Sequence, residues 1–175
     1  MIRLIHAGDR KVMLRLNQWL APRWIRQWMV IATRAGDGWL WIALALVLLL
    51  AGGAPRFDAL GAAFASMIAG QLLFLVMKHL IGRERPCATE QHCWARLLPP
   101  DRFSFPSGHT ITAFAVAVPI GLYYPSLLAG LIFCALSIAS SRVLLGLHYL
   151  SDVLAGIAIG CMVGLASFSI LGPGL

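Results

Sequence analysis

Three permanent cations, two histidines and one carboxylate follow each other in an order suited to handling a phosphate: Lys78, Arg85-Pro86, Pro106-Ser107-Gly108-His109, Ser141-Arg142, His148 and Asp152. Such groups are costly inside a membrane, and here they interrupt stretches that are otherwise almost wholly apolar. Lys78, Arg85 and Arg142 offer charge-assisted donors to phosphate oxygens, the arginines in a forked, bidentate manner. Ser107 and Gly108 follow a proline and open an apolar helical run, so their backbone N–H groups would point at an anion from a helix N-terminus. Gly108 also lets a ligand approach the backbone. His148 and Asp152 are four apart and share one helix face, where a carboxylate fixes an imidazole tautomer and stabilises its charged form. That arrangement activates a nucleophile, and His109, beside the phosphate anchor, is suited to protonating a departing oxygen.

Each group taken alone has a plainer explanation. Arg85 and Arg142 could snorkel from helix ends, Lys78 could anchor a span at the membrane boundary, His109 could cap its helix and Gly108 could simply turn the chain. Asp152 resists this treatment, because an unpaired carboxylate within an apolar helix is either expensive or neutralised. The joint spacing favours chemistry.

Together and in this order, the three stretches resemble the signatures of the type 2 phosphatidic acid phosphatases, or lipid phosphate phosphatases, whose relatives include bacterial lipid phosphatases and vanadium haloperoxidases. No chemical position departs from the family pattern. The resemblance is close over residues 78 to 152 and extends, through similar flanking helices, over roughly 38 to 172. It implies that His148 is a nucleophile that becomes a phosphohistidine, Asp152 its orienting partner and His109 the general acid. Lys78, Arg85, Ser107, Gly108 and Arg142 would bind the phosphate. No metal and no cofactor are implied: cations neutralise the phosphoryl oxygens, and no acidic cluster is present to hold a metal.

Composition fixes the class. Of 175 residues, 59% are hydrophobic and 12% charged, with a mean hydropathy of +0.80, far from an ordinary soluble domain. The reading is an all-α, polytopic transmembrane helical bundle. A net charge of +7 would raise nucleic acid as a partner in a soluble chain. Apolar helices and the absence of a nucleic-acid motif make anionic lipid the better partner. The four cysteines fit neither a disulfide framework nor a zinc site, although Cys87 and Cys93 would pair if their loop faces an oxidising compartment.

Residues 1–37 read as an amphipathic interfacial segment and 38–175 as the transmembrane phosphatase domain. Seven of the 14 Lys and Arg residues fall in the first 37, too many for a span, and no clean apolar core with a cleavage site marks a signal peptide. Trp24, Trp28 and Ala32 recur at helical spacing, and five of the six tryptophans lie within residues 19–41, so an in-plane helix fits. Spans follow at 38–54 and 58–80, then two short helices within 107–141 broken at Tyr123-Tyr124-Pro125-Ser126, then 149–171. Family members often have six spans, and five are read here. Gly156, Gly160 and Gly164 suit close packing of the last helix. With five spans, Lys78 ends the second, Ser107 begins the third, Arg142 ends the fourth and His148 begins the fifth. All four therefore meet at one membrane face.

The expected function is hydrolysis of a lipid phosphomonoester or pyrophosphate. Undecaprenyl pyrophosphate, phosphatidylglycerophosphate, phosphatidic acid and a lipid A phosphate are all compatible substrates. A phosphotransferase using the same histidine, and a non-catalytic protein that binds or transports anionic lipid, are the alternatives. Thirteen of the 14 basic residues lie on the site's side, which by the positive-inside rule favours the cytoplasm. The outward-facing site of bacterial relatives favours the outer face of a bacterial inner membrane, which is the expectation adopted. Oligomeric state is left open.

Overall fold

In lipid every backbone polar group must be satisfied within its own segment, so apolar runs of this length can only be helices. The computed structural model describes residues 2–19, 21–89 and 101–172, and among them the regular elements are helices, with one isolated antiparallel bridge between Glu84 and Phe103. Helices α1 (Ile2–Gln18) and α2 (Arg23–Arg34) precede a π-helical turn, Ala35–Trp39, that leads into α3 (Leu40–Ala51). Then come α4 (Arg56–Ile81), the single turn α5 (Pro86–Thr89), α6 (Gly108–Tyr123), α7 (Pro125–Leu144) and α8 (Leu150–Leu171). Four helical runs are long and apolar enough to cross a membrane, and α6 is a shorter apolar helix of 16 residues.

The break read at Tyr123–Ser126 is the junction of α6 and α7, with Pro125 at the start of α7, where its missing N–H costs nothing. The amino-terminal boundary expected between residues 37 and 38 falls at a kink. Two helices meet there through the π turn, and together they form a bent run of 29 residues, Arg23–Ala51, long and apolar enough to cross a membrane. The bend sits at Gly38, whose φ of 121° is open only to glycine. On α2 the buried residues are Met29, Ala32 and Thr33, whereas Trp24 and Trp28 are exposed.

The core lies where α6 is enclosed by α4, α7 and α8, with Ile111, Ala113, Phe114, Ala117, Ile120 and Ile138 buried. Close approach of α8 to α6 depends on the glycine stripe. A Cβ at Gly160 would lie 2.7 Å from the carbonyl oxygen of Ile111 and 2.7 Å from Cβ of Phe114, and one at Gly156 would lie 3.0 Å from the carbonyl oxygen of Ser107. These two helices begin with Gly108 and with the residues after His148, so their contact also fixes the spacing of the motifs they carry.

Candidate active site

The ends of α4, α6, α7 and α8 that carry the motifs meet around a cavity of about 430 Å³, lined by Lys78, Arg85, Gly108, His109, Arg142 and His148 together with Asp37, Asp101 and neighbouring apolar residues. Lys78 reaches it from the last turn of α4, its ammonium 4.9 Å from the Phe74 ring centroid. Helix α4 closes on Gly82 in the left-handed conformation (φ 59°), which turns the chain so that Arg83–Arg85 run back across the mouth of the bundle. The Glu84–Phe103 bridge, with Ser104 N–H donating to Arg83 C=O at 2.7 Å, then pins Asp101–Ser104 beside Arg85.

His148, in the turn between α7 and α8, is buried. Its Nδ1 lies 2.6 Å from the carbonyl oxygen of Ser104, and its Nε2 lies 3.0 Å from Nη1 of Arg85. A carbonyl only accepts and a guanidinium only donates, so Nδ1 carries the proton and the lone pair is on Nε2. Burial, reinforced by Arg142 and Arg85, pushes the His148 imidazole down to about 4 against the opposing pull of Asp152. The ring is thus neutral, with its Nε2 lone pair directed at a guanidinium.

Asp152 is fully buried but does not hydrogen-bond His148: the Nδ1–Oδ2 separation is 3.8 Å. Its Oδ2 accepts from Tyr149 N–H at 2.9 Å and its Oδ1 from Nη1 of Arg83 at 2.8 Å. The carboxylate thus caps α8 and holds an ion pair, while the backbone carbonyl of Ser104 sets the imidazole tautomer. Ser107 also differs from expectation. Its N–H donates to the carbonyl oxygen of Asp152 at 3.1 Å and its Oγ accepts from Thr110, so neither group is directed at the cavity. The helical ladder of α6 begins with Ile111 N–H donating to Ser107 C=O at 3.0 Å, which leaves the N–H groups of Gly108, His109 and Thr110 outside the ladder.

Arg142 is buried, its Nη1 donates to Oγ1 of Thr33, and its Nε has no hydrogen-bond partner among the described residues. No carboxylate lies within ion-pair distance of it among those residues, an arrangement that is costly unless an anion completes it. Lys78 and Arg85 do have such a partner. The Asp101 carboxylate sits 2.8 Å from Nζ of Lys78 and 3.0 Å from Nη2 of Arg85. Burial opposes its ionisation, but hydrogen bonds from these two cations outweigh burial and hold the carboxyl below the usual carboxylate range.

His109, in the first turn of α6, meets a carboxylate that the motif spacing does not foretell: Nε2 lies 2.7 Å from Oδ1 of Asp37. A further network lies behind Asp152. Arg83 bridges it to Asp9 of α1, with Nη2 2.8 Å from Asp9 Oδ2, and its guanidinium stacks 3.9 Å over the Tyr149 ring. Asp9 in turn accepts from Ser151 N–H at 3.1 Å. Of the seven Asp and Glu residues in the chain, Asp9, Asp37, Asp101 and Asp152 all converge here. The usable sequence signal was scarcity: in a chain with so few carboxylates, each needs a cationic or N–H partner. Cys93, and hence its pairing with Cys87, lies outside the described residues, as does Arg96.

Residues 59–173 match the family profile described as the PAP2 superfamily. Over 101 residues the chain is 35% identical to the lipid A 1-phosphatase of Rhizobium etli, covering 55% of this chain and 44% of that protein. It is 34% identical over 128 residues to the decaprenylphosphoryl-5-phosphoribose phosphatase of Mycobacterium tuberculosis, covering 71% of this chain and 67% of that one. The chain therefore spans less than half the length of the lipid A 1-phosphatase and about two thirds of the mycobacterial protein. Among solved structures, a transmembrane PAP2 type phosphatidylglycerolphosphate phosphatase from Bacillus subtilis superposes with a TM-score of 0.74 at 22% identity, over 95% of this chain and 86% of that one.

Proposed function

The chain belongs to the PAP2 superfamily, and from that premise we propose that it is a membrane lipid phosphate phosphatase working through a phosphohistidine at His148. The observation that carries the reading is how two cavities adjoin. The cationic cavity shares Gly38, Met67 and Thr112 with an apolar one of about 660 Å³ lined by Trp41, Ile42, Leu60, Phe64, Val116 and Ile120. A phosphate on a long hydrocarbon chain fits that pairing, head among the cations and tail among the apolar side chains.

In this reading Lys78, Arg85, Arg142 and the free N–H groups at the start of α6, Gly108 first, bind the phosphoryl oxygens. Nε2 of His148 forms a bond to phosphorus as the bond from phosphorus to the lipid oxygen breaks, and His109 gives that oxygen a proton. Water then attacks the phosphohistidine, His109 takes a proton from it, and inorganic phosphate leaves with His148 restored. Arg85 has to release Nε2 as its guanidinium turns to phosphate oxygens. Ser107 contributes by tying the start of α6 to α8 through its N–H on the Asp152 carbonyl, and Asp152 through the position of α8 and its negative charge near Nδ1.

The same reading keeps residues 38–175 as the phosphatase domain and 1–37 as an interfacial segment that lends Thr33 and Asp37 to the site. It assigns the protein to a bacterial inner membrane with the site at the outer face. Labelling of a cysteine introduced at Arg102 by a membrane-impermeant reagent in intact cells tests the face, and no labelling overturns it. The activity is tested with purified protein in excess chelator on a panel of lipid monophosphates and diphosphates, following phosphate release and acid-labile phosphoenzyme. Release without any acceptor lipid supports hydrolysis. Transfer only in the presence of a second lipid favours a phosphotransferase, and lipid phosphate bound but recovered intact rules out both.

A further inference from the structure

The turn that bends the first span also carries a carboxylate into the cavity. Residues Ala35–Trp39 form a π turn whose Gly38 has φ 121°, and Gly36, Asp37 and Gly38 all line the cavity. Gly36 is there for closeness: a Cβ added to it would lie 3.2 Å from Cδ2 of His109 and 2.9 Å from Cγ2 of Ile138. Asp37 is next to it, with Oδ1 2.7 Å from Nε2 of His109. The ring edge made of Cδ2 and Nε2 is thus packed against Gly36–Asp37, and the edge bearing Nδ1 is the one turned away from that segment.

We propose that Asp37 is the positioning residue of the general acid: by binding Nε2–H it orients His109, stabilises its imidazolium form and leaves the Nδ1 proton for the departing lipid oxygen. The inference rests on the phosphatase reading above. The step balances. Imidazolium carries a proton on each nitrogen, the Nδ1 proton goes to the lipid oxygen as its bond to phosphorus breaks, and the neutral ring keeps Nε2–H on Asp37. In the second step Nδ1 takes a proton from the attacking water and the imidazolium is restored. A carboxylate beside an imidazole favours its charged form. That help matters here, because the other charged groups around the cavity are mostly cationic: Arg142 from α7, Lys78 from α4 and Arg85 beyond it, with Asp101 as their counterion and His148 neutral.

The test compares Asp37→Asn with the unaltered protein on a lipid alkyl phosphate and on an aryl phosphate with a good leaving group. An alkoxide needs the proton and an activated phenolate does not, so kcat on the lipid should fall about 10- to 100-fold and on the aryl phosphate by a factor about ten times smaller. The alkaline limb of the lipid pH–rate profile should move to lower pH, since the imidazolium loses its anionic partner. Gly36→Ala, which keeps both groups but pushes the turn off the ring, should show the same selectivity, and it is judged by the same criterion if Asp37→Asn does not fold. Equal losses on both substrates with an unmoved limb, or no loss at all, overturn the inference. If the unaltered protein neither forms phosphoenzyme nor releases phosphate, the phosphatase reading falls and takes this one with it. Normal phosphoenzyme without the selectivity overturns only the role of Asp37.

Discussion

The His148 side chain is 3% exposed and held between a backbone carbonyl and a guanidinium, whereas that of His109 is 25% exposed and meets a carboxylate. Two imidazoles facing one cavity are thereby given opposite partners: His148 is held as a neutral ring whose Nε2 lone pair faces a guanidinium, and His109 meets a carboxylate that favours its charged form. Enzymes that separate nucleophile from acid do it through environment, because the side chains are the same. The carbonyl of Ser104 is part of the backbone, so the tautomer of His148 is fixed by the fold and is insensitive to most side-chain changes. The Asp37 contact is a side-chain pairing at the edge of the bundle and is open to substitution.

The comparison is broken most completely at His148. His148→Ala should abolish acid-labile phosphoenzyme in rapid-quench experiments and lower turnover by about 10⁴-fold or more on every substrate, as removal of a nucleophile does elsewhere. A phosphoenzyme surviving in that variant would move the nucleophile to another residue. His109→Ala should cost about 10²- to 10⁴-fold on a lipid monoester and much less on an activated aryl phosphate. Steady-state rates on both substrates decide this.

Asp152→Asn has a smaller expected effect on chemistry, because Ser104 rather than Asp152 accepts the Nδ1 proton at hydrogen-bond distance. The serine-protease precedent, where loss of the orienting carboxylate costs about 10⁴-fold through the wrong tautomer, should not apply in full. A loss of about 10- to 100-fold in phosphoenzyme formation is expected, well short of that precedent. A drop in thermal stability in detergent should accompany it, since Arg83 is left without one of its two carboxylate partners. A 10⁴-fold loss would restore Asp152 as the tautomer-fixing group.

Acidity sharpens the same contrast. The His148 ring titrates near 4 in the folded protein, below its ordinary 6.5. Between those values the unfolded chain binds a proton that the folded one does not, so stability rises with pH across that window and is lost as pH falls through it. The acid limb of phosphoenzyme formation on an aryl phosphate should accordingly lie near pH 4. A limb near 6.5 would place His148 in a wetter, less cationic setting than the structure gives it.

The smallest effect on chemistry belongs to the packing core. Gly160→Ala should destabilise the protein by about 1–3 kcal/mol through overpacking of α8 on α6, measurable as a lower unfolding temperature in detergent. Its surviving activity should show no preference between alkyl and aryl leaving groups. Selectivity in that variant would mean that the distance between α6 and α8 tunes His109 directly.

The sequence alone determined the helical class, the helices of the second half and the meeting of Lys78, Ser107, Arg142 and His148 at one end of the bundle. Hydrophobic runs too long to be anything but helices dictate an up-and-down path, and that path brings every second helix junction to the same side. The packing role of Gly156, Gly160 and Gly164 was legible for a similar local reason. What only the tertiary structure decided are the partners that come from far along the chain. Asp37 reaches His109 across 72 positions, Ser104 takes Nδ1 of His148 across 44, and Asp9 reaches Arg83 across 74. Helical periodicity predicts contacts three or four residues apart, so it paired His148 with Asp152 and could not see that a backbone carbonyl would hold the ring. Nor could it see the π turn that joins α2 to α3, because that bend depends on the one backbone angle that Gly38 alone permits.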